Sequence, residues 1–554
     1  MPRPSSSGPK SSAVVVKKRR SVGRDGSSVA TSRSSLMAAT VPSGDRPIEL
    51  VFGLVGPTGV DQELVCASLQ TQLRIVGYET HIVSLSEIIE GYDGQPIPKD
   101  DAFKRIELLM DLGDDSRRRK EQPEVLALLG IHKIRSLRES ISGDENLPDR
   151  KRRIAYIVRS FKRPEEVRIY REVYGKQFTL ISIYATREHR ISYLKKKFQG
   201  RNTDKTDTRS PEELAIHLMV RDYREEGKDW GQRVGDTFPL ADFFVISEAR
   251  VKLNEYIGRL VRLTFGDPYI SPTPDEQAMF FAQAAAMRSL DLSRQVGAAI
   301  VSPDGNILAT GCNEVPKSGG GLYWAGENSC HRDFERGGDS NADIKQEILV
   351  DALRRLAGGG LLRDLDADES IESLAKRLVI GDQPFFEDSR LFDVIEFGRA
   401  VHAEMAAISH AARDGVPLQN ARLFCTTFPC HICARHIVAA GINEVVFIEP
   451  YDKSRVAELY ADSIVVEPTD ANASRVVFRS FVGVAPRRYM DFFQLAIKRK
   501  SKDGKIRSPD EYAKTPRIQR VAFVYPAVEL AVIYPSDKFP PPKKSSSTST
   551  GMAS

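Results

Sequence analysis

Two short runs, His402-Ala403-Glu404 and Pro429-Cys430-His431-Ile432-Cys433, decide how this chain is read. Cys430 and Cys433 are three apart, so on a helix they share one face. Pro429 suits a helix start, and a helix start favours thiolates through its positive dipole end. One imidazole (His402) and two thiolates satisfy Zn²⁺ and leave the fourth tetrahedral position free. Their charges sum to zero, so the group can sit in a partly buried pocket at little desolvation cost. Glu404 is the catalytic candidate, a carboxylate placed to shuttle protons to and from an activated water. A closed structural zinc knuckle is the competing reading. It needs a fourth ligand, for which His431 and His436 flank the cysteines. Cys66 and Cys425 suit small core positions, whereas Cys312, Cys330 and His331 suit part of a second zinc site that lacks a fourth ligand.

Around these runs the sequence predicts a second α/β unit. Helix Asp275–Leu290 leads into strands Val296–Val301 and Asn306–Cys312, joined by the turn Pro303-Asp304-Gly305. Helix Val401–Arg413, strand Ala421–Cys425, helix His431–Ala440 and strand Glu444–Ile448 follow. Between residue 46 and about 265 another alternation runs. Strands are expected at Ile48–Val55, Thr80–Leu85, Ile154–Arg159, Phe178–Tyr184 and Phe243–Ile246. Helices are expected at Gln62–Val76, Pro164–Tyr174, Arg187–Phe198, Pro211–Glu226 and Arg250–Leu263. Near-continuous apolar strands alternating with helices predict a parallel sheet covered on both faces. Gly266-Asp267-Pro268 and Ser271-Pro272-Thr273-Pro274 punctuate the boundary.

Length and charge agree with this division. A chain of 554 residues calls for two or three domains. The net charge of +5 is unevenly spread. Residues 1–45 hold eight basic and two acidic residues, and residues 537–554 hold three and one, so the stretch between carries 69 basic against 72 acidic. Both ends read as disordered tails, the first basic and rich in Ser, Gly and Arg. The slightly acidic body argues against a nucleic-acid-binding fold, which calls for a concentrated basic face. A hydrophobic content of 41% can build cores. No apolar run is long enough to span a membrane, and the N-terminus lacks a secretory signal, so a cytoplasmic protein without a membrane partner is expected. Six cysteines are too few for a disulfide scaffold.

The order His-x-Glu then Pro-Cys-x-x-Cys is the signature of zinc-dependent base deaminases. From about residue 275 to 490 the chain resembles the deoxycytidylate deaminase family, with its cytidine-deaminase-like α/β/α zinc fold. Arg294-Gln295-Val296-Gly297-Ala298-Ala299-Ile300-Val301 resembles the first-strand motif, and Gly311-Cys312-Asn313-Glu314-Val315-Pro316 the turn after the second strand. The resemblance implies that Asn313 holds the sugar hydroxyl. It also implies attack of activated water on C4 of cytosine, with Glu404 protonating N3 and then the departing ammonia. Three features depart from the small members: a long segment, residues 319–399; the block Glu449-Pro450-Tyr451-Asp452-Lys453-Ser454; and Gly483-Val484-Ala485-Pro486-Arg487-Arg488-Tyr489. With the fused first half, these look most like bacterial antiviral dCTP deaminases, which convert dCTP and often dCMP to deoxyuridine nucleotides and so starve a phage of dCTP. Lys453, Ser454 and Arg488 offer donors suited to phosphates.

The first half resembles P-loop nucleotide kinases. Its first strand runs into Gly56-Pro57-Thr58-Gly59-Val60-Asp61-Gln62-Glu63, so Gly56, Thr58 and Gly59 are candidate nucleotide-binding residues. A working loop reads G-x-x-x-x-G-K-[ST]. Aligned on Gly56, its second glycine is Asp61, its lysine Gln62 and its Ser/Thr Glu63. The loop is degenerate: the cation that phosphoryl transfer depends on is lost. Arg159-Ser160-Phe161-Lys162-Arg163-Pro164 and Thr186-Arg187-Glu188-His189-Arg190 still suit that fold. The expected organisation is a basic tail over 1–45, a P-loop kinase-like domain over 46–266, a zinc deaminase domain over 267–536 with its insertion 319–399, and a tail over 537–554.

The function expected is zinc-dependent deamination of free deoxycytidine nucleotides. Alternatives are a housekeeping dCMP deaminase, an editor of single-stranded nucleic acid, and a non-enzymatic nucleotide-responsive protein. An editor would need basic grooves and stacking aromatics, and the motifs lack a dense basic run. A dCTP deaminase needs restraint in its host, through the first domain, a regulatory nucleotide or an RNA, and the family resemblance implies a homo-oligomer.

Overall fold

In the computed structural model, the described residues run from 48 to 534, apart from 94–96, 147, 150, 200–208, 226, 328–329, 363–368, 382–384, 387–388, 452–453, 469–473, 496–497, 509–515 and 518–524. Both expected tails lie outside them. The first layer is a parallel sheet of β1 (Leu50–Val55), β2 (Glu79–Ser84), β3 (Ile154–Phe161), β4 (Phe178–Tyr184) and β5 (Phe243–Ile246). In space the order is β2-β3-β1-β4-β5, every pair parallel. Parallel pairing forces a crossover between strands, and helices supply it. Every residue of β1 is buried, because helices cover both faces. Gln62–Ile75 and Arg250–Thr264 pack on one face around Phe52, Leu69 and Leu260. Val125–Ser142 and Pro164–Tyr174 pack on the other around Tyr156, Ile131 and Tyr170.

Local chemistry sets the helix starts. Ser210 and Glu213 form a reciprocal capping box ahead of Pro211–Tyr223, and Thr273 and Glu276 do the same ahead of Pro274–Ala286. In each, a serine or threonine oxygen and a glutamate satisfy backbone donors that the first turn leaves open.

The second layer is a mixed sheet of β6 (Gly297–Val301), β7 (Ile307–Cys312), β8 (Arg422–Thr427), β9 (Glu444–Glu449), β10 (Ile464–Val466) and β11 (Val476–Ser480), in the order β10-β11-β9-β8-β6-β7. The predicted hairpin joins β6 and β7, with Gly305 at φ +85° in its turn. Helices press closely on this hairpin. A Cβ on Gly297 would lie 1.9 Å from the Ala282 carbonyl, and one on Gly311 would lie 2.2 Å from the Ala403 carbonyl. Glycine therefore lets the first turn of helix Ala403–Arg413 rest on β7, and this places His402. Buried Ala403, Ala406, Ala407 and Ala411 line the near face of that helix.

The insertion over 319–399 carries helices Ser340–Gly358 and Ile371–Ile380, with a small core of Leu349, Leu353, Leu374 and Ala375. The C-terminal part of the chain returns to the first layer. Strand β12 (Gly483–Val484) pairs antiparallel with β5. Helix Tyr525–Ile533 docks its buried Glu529 on Arg138 at 2.7 Å and on Arg135 at 3.5 Å. Both arginines lie on Val125–Ser142, so the segment assigned to the second domain contributes to both layers. The described residues between Asp45 and Ser554 belong to one unit.

Candidate active site

Two helix starts in the second layer converge. His402 is the N-cap of Ala403–Arg413, and Cys430 is the N-cap of His431–Ala439, where its sulfur accepts the Cys433 amide at 3.5 Å. His402 Nδ1 lies 3.2 Å from Cys430 Sγ and 3.4 Å from Cys433 Sγ. A tetrahedral zinc with ordinary Zn–N and Zn–S bonds sets such N···S edges at about 3.5 Å. The three ligand atoms fall within 4.8 Å of one another, and among the described residues no other His, Cys, Asp or Glu group gathers this way. Donor set and spacing thus fit zinc. Cys312, Cys330 and His331 are not gathered into a second cluster.

Charge is arranged to suit a cation. The Cys433 hydrogen bond, with help from His402, holds the Cys430 thiol down at about 4. The Cys430 hydrogen bond lifts His402 to about 9. Cys430 and Cys433 are both buried, which limits competing solvent. Glu404 is the second residue of helix Ala403–Arg413, in its first turn, and is 4% exposed. Burial raises its carboxyl above the usual range, and the Cys430 charge raises it further. A carboxyl so placed can both take and return a proton.

A cavity of about 190 Å³ opens beside these groups. His402, Glu404 and Cys430 line it, together with Asn313, Arg294, Thr427, Phe428 and Tyr451. Asn313 reaches its wall but also clasps the chain: its Oδ1 accepts the Val296 amide at 2.7 Å, and its Nδ2 donates to the Arg294 carbonyl at 2.8 Å. The insertion supplies further lining from Asp333, Asp339, Asn341 and Arg399. Sequence reasoning missed these four, since only the folding back of the insertion brings them here. The nearest signal was the position of Arg399, three residues before His402.

Two of the three residues expected at phosphates, Ser454 and Arg488, lie away from this cavity. Ser454 donates its hydroxyl to the Pro429 carbonyl at 2.9 Å, bracing the turn that carries Cys430. Arg488 stands on helix Pro486–Phe493, where it pairs with Asp491 at 3.5 Å and lies over the Phe492 ring. Neither lines the cavity. Phe492 and Val484 belong to the core of the first layer, so the return of the chain to that layer carries Arg488 away from the zinc ligands. Lys453 lies outside the described residues.

The loop after β1 is held by the chain itself. The Thr58 amide donates to Asp222 Oδ2 at 2.6 Å, and Lys162 Nζ pairs with Asp222 Oδ1 at 2.6 Å. Asp222 is fully buried. Gly59 takes φ +100°, and a Cβ there would meet Arg190 Cβ at 2.7 Å. Gly56 sits against Val60 and Ile183. A carboxylate thus occupies the Thr58 amide, which sequence reasoning had offered to a nucleotide.

Comparison with known proteins adds a family. The model of the cytidine and deoxycytidylate deaminase zinc-binding region matches residues 272–449. Deoxycytidylate deaminase of Enterobacteria phage T2 is 42% identical over 55 residues, 10% of this chain and 29% of that protein. Deoxycytidylate deaminase of Homo sapiens is 24% identical over 224 residues, 39% of this chain and 84% of that protein. The chain therefore matches under a third of the length of the phage relative. The crystal structure of dCMP deaminase from cyanophage S-TIM5 with dCMP and dUMP shares 18% identity at a TM-score of 0.22, over 38% of this chain and 100% of that one. The convergent His402, Cys430 and Cys433, within a matched zinc-binding region, mark the C-terminal region of this chain as holding a deoxycytidylate deaminase-family domain.

Proposed function

We propose that the C-terminal region deaminates free deoxycytidine nucleotides, dCTP and dCMP, to deoxyuridine nucleotides, lowering dCTP in defence against phage. The observation that carries the chemistry is a buried Glu404 beside a three-ligand cluster that opens on a cavity. His402, Cys430 and Cys433 would hold zinc, which supplies Lewis-acid activation of water at neutral pH. Glu404 takes a proton from the attacking water and delivers it to N3 of the base. Glu404 then takes the remaining proton of the hydroxyl added at C4 and hands it to the amine as the C4–N4 bond breaks, so that the C4 carbonyl forms and ammonia leaves. Burial suits it to the return steps, because it disfavours the ionised form relative to an exposed carboxylate. The fused first layer serves as a scaffold or sensor on this reading, in a cytoplasmic homo-oligomer.

The acids of the wall support a second reading. Asp291, Asp333 and Asp339 line the cavity and disfavour a substrate of high negative charge. They favour dCMP over dCTP, as for a housekeeping dCMP deaminase. Incubating the zinc-loaded protein separately with dCMP, dCDP, dCTP and CTP and measuring deaminated product decides between the two. Glu404→Gln should keep its zinc and lose about 10²–10⁴ in turnover. Full activity in that variant would overturn the mechanism.

A further inference from the structure

Arg399 and Arg294 are the two guanidinium groups among the described residues lining the zinc-side cavity. They arrive on separate elements. Arg294 precedes β6, in the segment that Asn313 clasps, and its guanidinium lies 5.2 Å from the Tyr451 ring centre and 3.2 Å from Glu449. Arg399 ends the insertion. Its Nη1 pairs with Asp333 Oδ1 at 2.5 Å, and its Nη2 donates to the His331 carbonyl at 3.0 Å.

The backbone around Arg399 does not need that guanidinium. On one side, Asn341 accepts the Phe397 amide at 3.3 Å and donates to the Val394 carbonyl at 3.0 Å, while the Ser340 hydroxyl donates to the Phe397 carbonyl. On the other, Val401 and Glu314 exchange backbone hydrogen bonds. The segment is thus pinned before and after Arg399 by other groups. Arg399 is 28% exposed at its side chain and Arg294 45%, so both keep solvent-facing donors out of the five that each fork carries. An anion entering this cavity meets Asp291, Asp333, Asp339 and Glu404, and the two arginines are what offset them.

We propose that Arg399, brought by the insertion, is a specificity-determining residue that binds the 5′-phosphate of a free deoxycytidine nucleotide together with Arg294. The proposal rests on the deaminase reading above and deepens it. A fork of parallel N–H donors matches phosphate oxygens, and Asp333 holds that fork in place until substrate arrives. The site thereby favours a mononucleotide with a terminal phosphate over a nucleoside.

The test is the ratio of kcat/KM for dCMP to that for deoxycytidine, measured by ammonia release with the full-length zinc-loaded protein. Losing a charged hydrogen-bond donor costs about 1.5–3 kcal/mol, so Arg399→Ala should lower this ratio about ten- to hundredfold. Arg399→Lys should recover part of it. Asp333→Asn should move the ratio the other way, about two- to fivefold up, because the phosphate no longer competes with a carboxylate. This second variant keeps the test open if Arg399→Ala does not fold. An equal fall for both substrates in Arg399→Ala, or a ratio that drops in Asp333→Asn, would reduce Arg399 to a clamp on the insertion and overturn the proposal. If wild type converts neither substrate, the deaminase reading falls and this proposal with it. If wild type converts both with a ratio indifferent to residue 399, only this proposal falls.

Discussion

Two strand-to-helix turns in this molecule solve the same electrostatic problem differently. One follows β1 and opens helix Gln62–Ile75; the other follows β8 and opens helix His431–Ala439. A helix start presents unpaired N–H groups and a positive dipole end, so it gathers anions. At the first turn the chain supplies carboxylates. Asp61 accepts the Leu64 amide at 3.0 Å, and Asp222 accepts the Thr58 amide while Lys162 balances its charge. At the second it supplies sulfur: Cys430 accepts the Cys433 amide, and both sulfurs face His402. A carboxylate buried against an amide and an ammonium has spent its charge internally. Two thiols and an imidazole beside an open cavity keep theirs for a metal. The anion chosen at each helix start separates a turn that is closed on itself from one that can hold an ion.

The largest effect should come from breaking the second turn. Cys430→Ala removes both a metal ligand and the cap of its helix, so zinc measured by atomic absorption should fall to about a tenth of an equivalent per chain or less. Turnover should fall to background. Chelation of the wild type followed by added zinc should remove and then restore activity. A variant that retains a full equivalent of zinc would show that the ligand set lies elsewhere.

What the sequence disclosed about these two turns differs for a physical reason. The zinc ligands were legible because the cysteines sit a helical turn apart and their chemistry is specific. Strands β1 to β9 were legible to within two residues, and Phe178–Tyr184 and Phe243–Ile246, which run almost wholly buried, were read with their observed ends; β10 and β11, short and only partly buried, were not read. The partner of Thr58 was not legible, since Asp222 lies 164 residues further on and reads as an ordinary helix-end acid. Arg488 was misplaced because β12 is only two residues long, too short to show a strand pattern, yet it is what turns that segment onto the first sheet. Arg399 was passed over because nothing local marks an insertion's last residues as the wall of a cavity. Helices Ala102–Lys120 and Val125–Ser142 were missed as well; the second buries Arg135 and Arg138, whose charges mask its apolar face until Glu49 and Glu529 are seen to pair with them.

Breaking the first turn should cost stability. Asp222→Ala leaves the Thr58 amide and the Lys162 ammonium without their buried partner. Removing one member of a buried ion pair costs about 3–5 kcal/mol, and the partial exposure of Lys162 puts the expectation near the lower end, about 3 kcal/mol. Urea denaturation followed by circular dichroism measures it. The double variant Lys162→Met/Asp222→Ala should recover part of the loss, since the Lys162 charge is no longer orphaned, although Arg190 still loses the Asp222 charge beside it. A cost below about 0.5 kcal/mol for the single variant would mean that the loop is held by other contacts. The comparison between a self-closed and an ion-ready turn would then fail.

The smallest expected effect concerns Asn313, which stands between the β6–β7 hairpin and the cavity. Its carbonyl oxygen satisfies the Val296 amide, and one of its two amide hydrogens satisfies the Arg294 carbonyl. The second hydrogen remains for a sugar hydroxyl, the role that the family resemblance implies. Asn313→Ala should therefore lose about 1–2 kcal/mol of stability, the cost of leaving largely buried backbone groups unpaired. It should also lower kcat/KM for dCMP more than for the 2′,3′-dideoxy nucleotide, which has no 3′-hydroxyl to bind. Asn313→Asp keeps an acceptor for Val296 but sets a carboxylate oxygen against the Arg294 carbonyl; that oxygen can accept the 3′-hydroxyl proton, so this variant should keep more of the discrimination between the two nucleotides than Asn313→Ala. Equal losses for the two nucleotides in both variants would confine Asn313 to holding the Arg294–Val296 segment in place. That segment carries one of the two arginines of the cavity, so KM for dCMP should rise even then, and the dideoxy comparison is what separates contact from positioning.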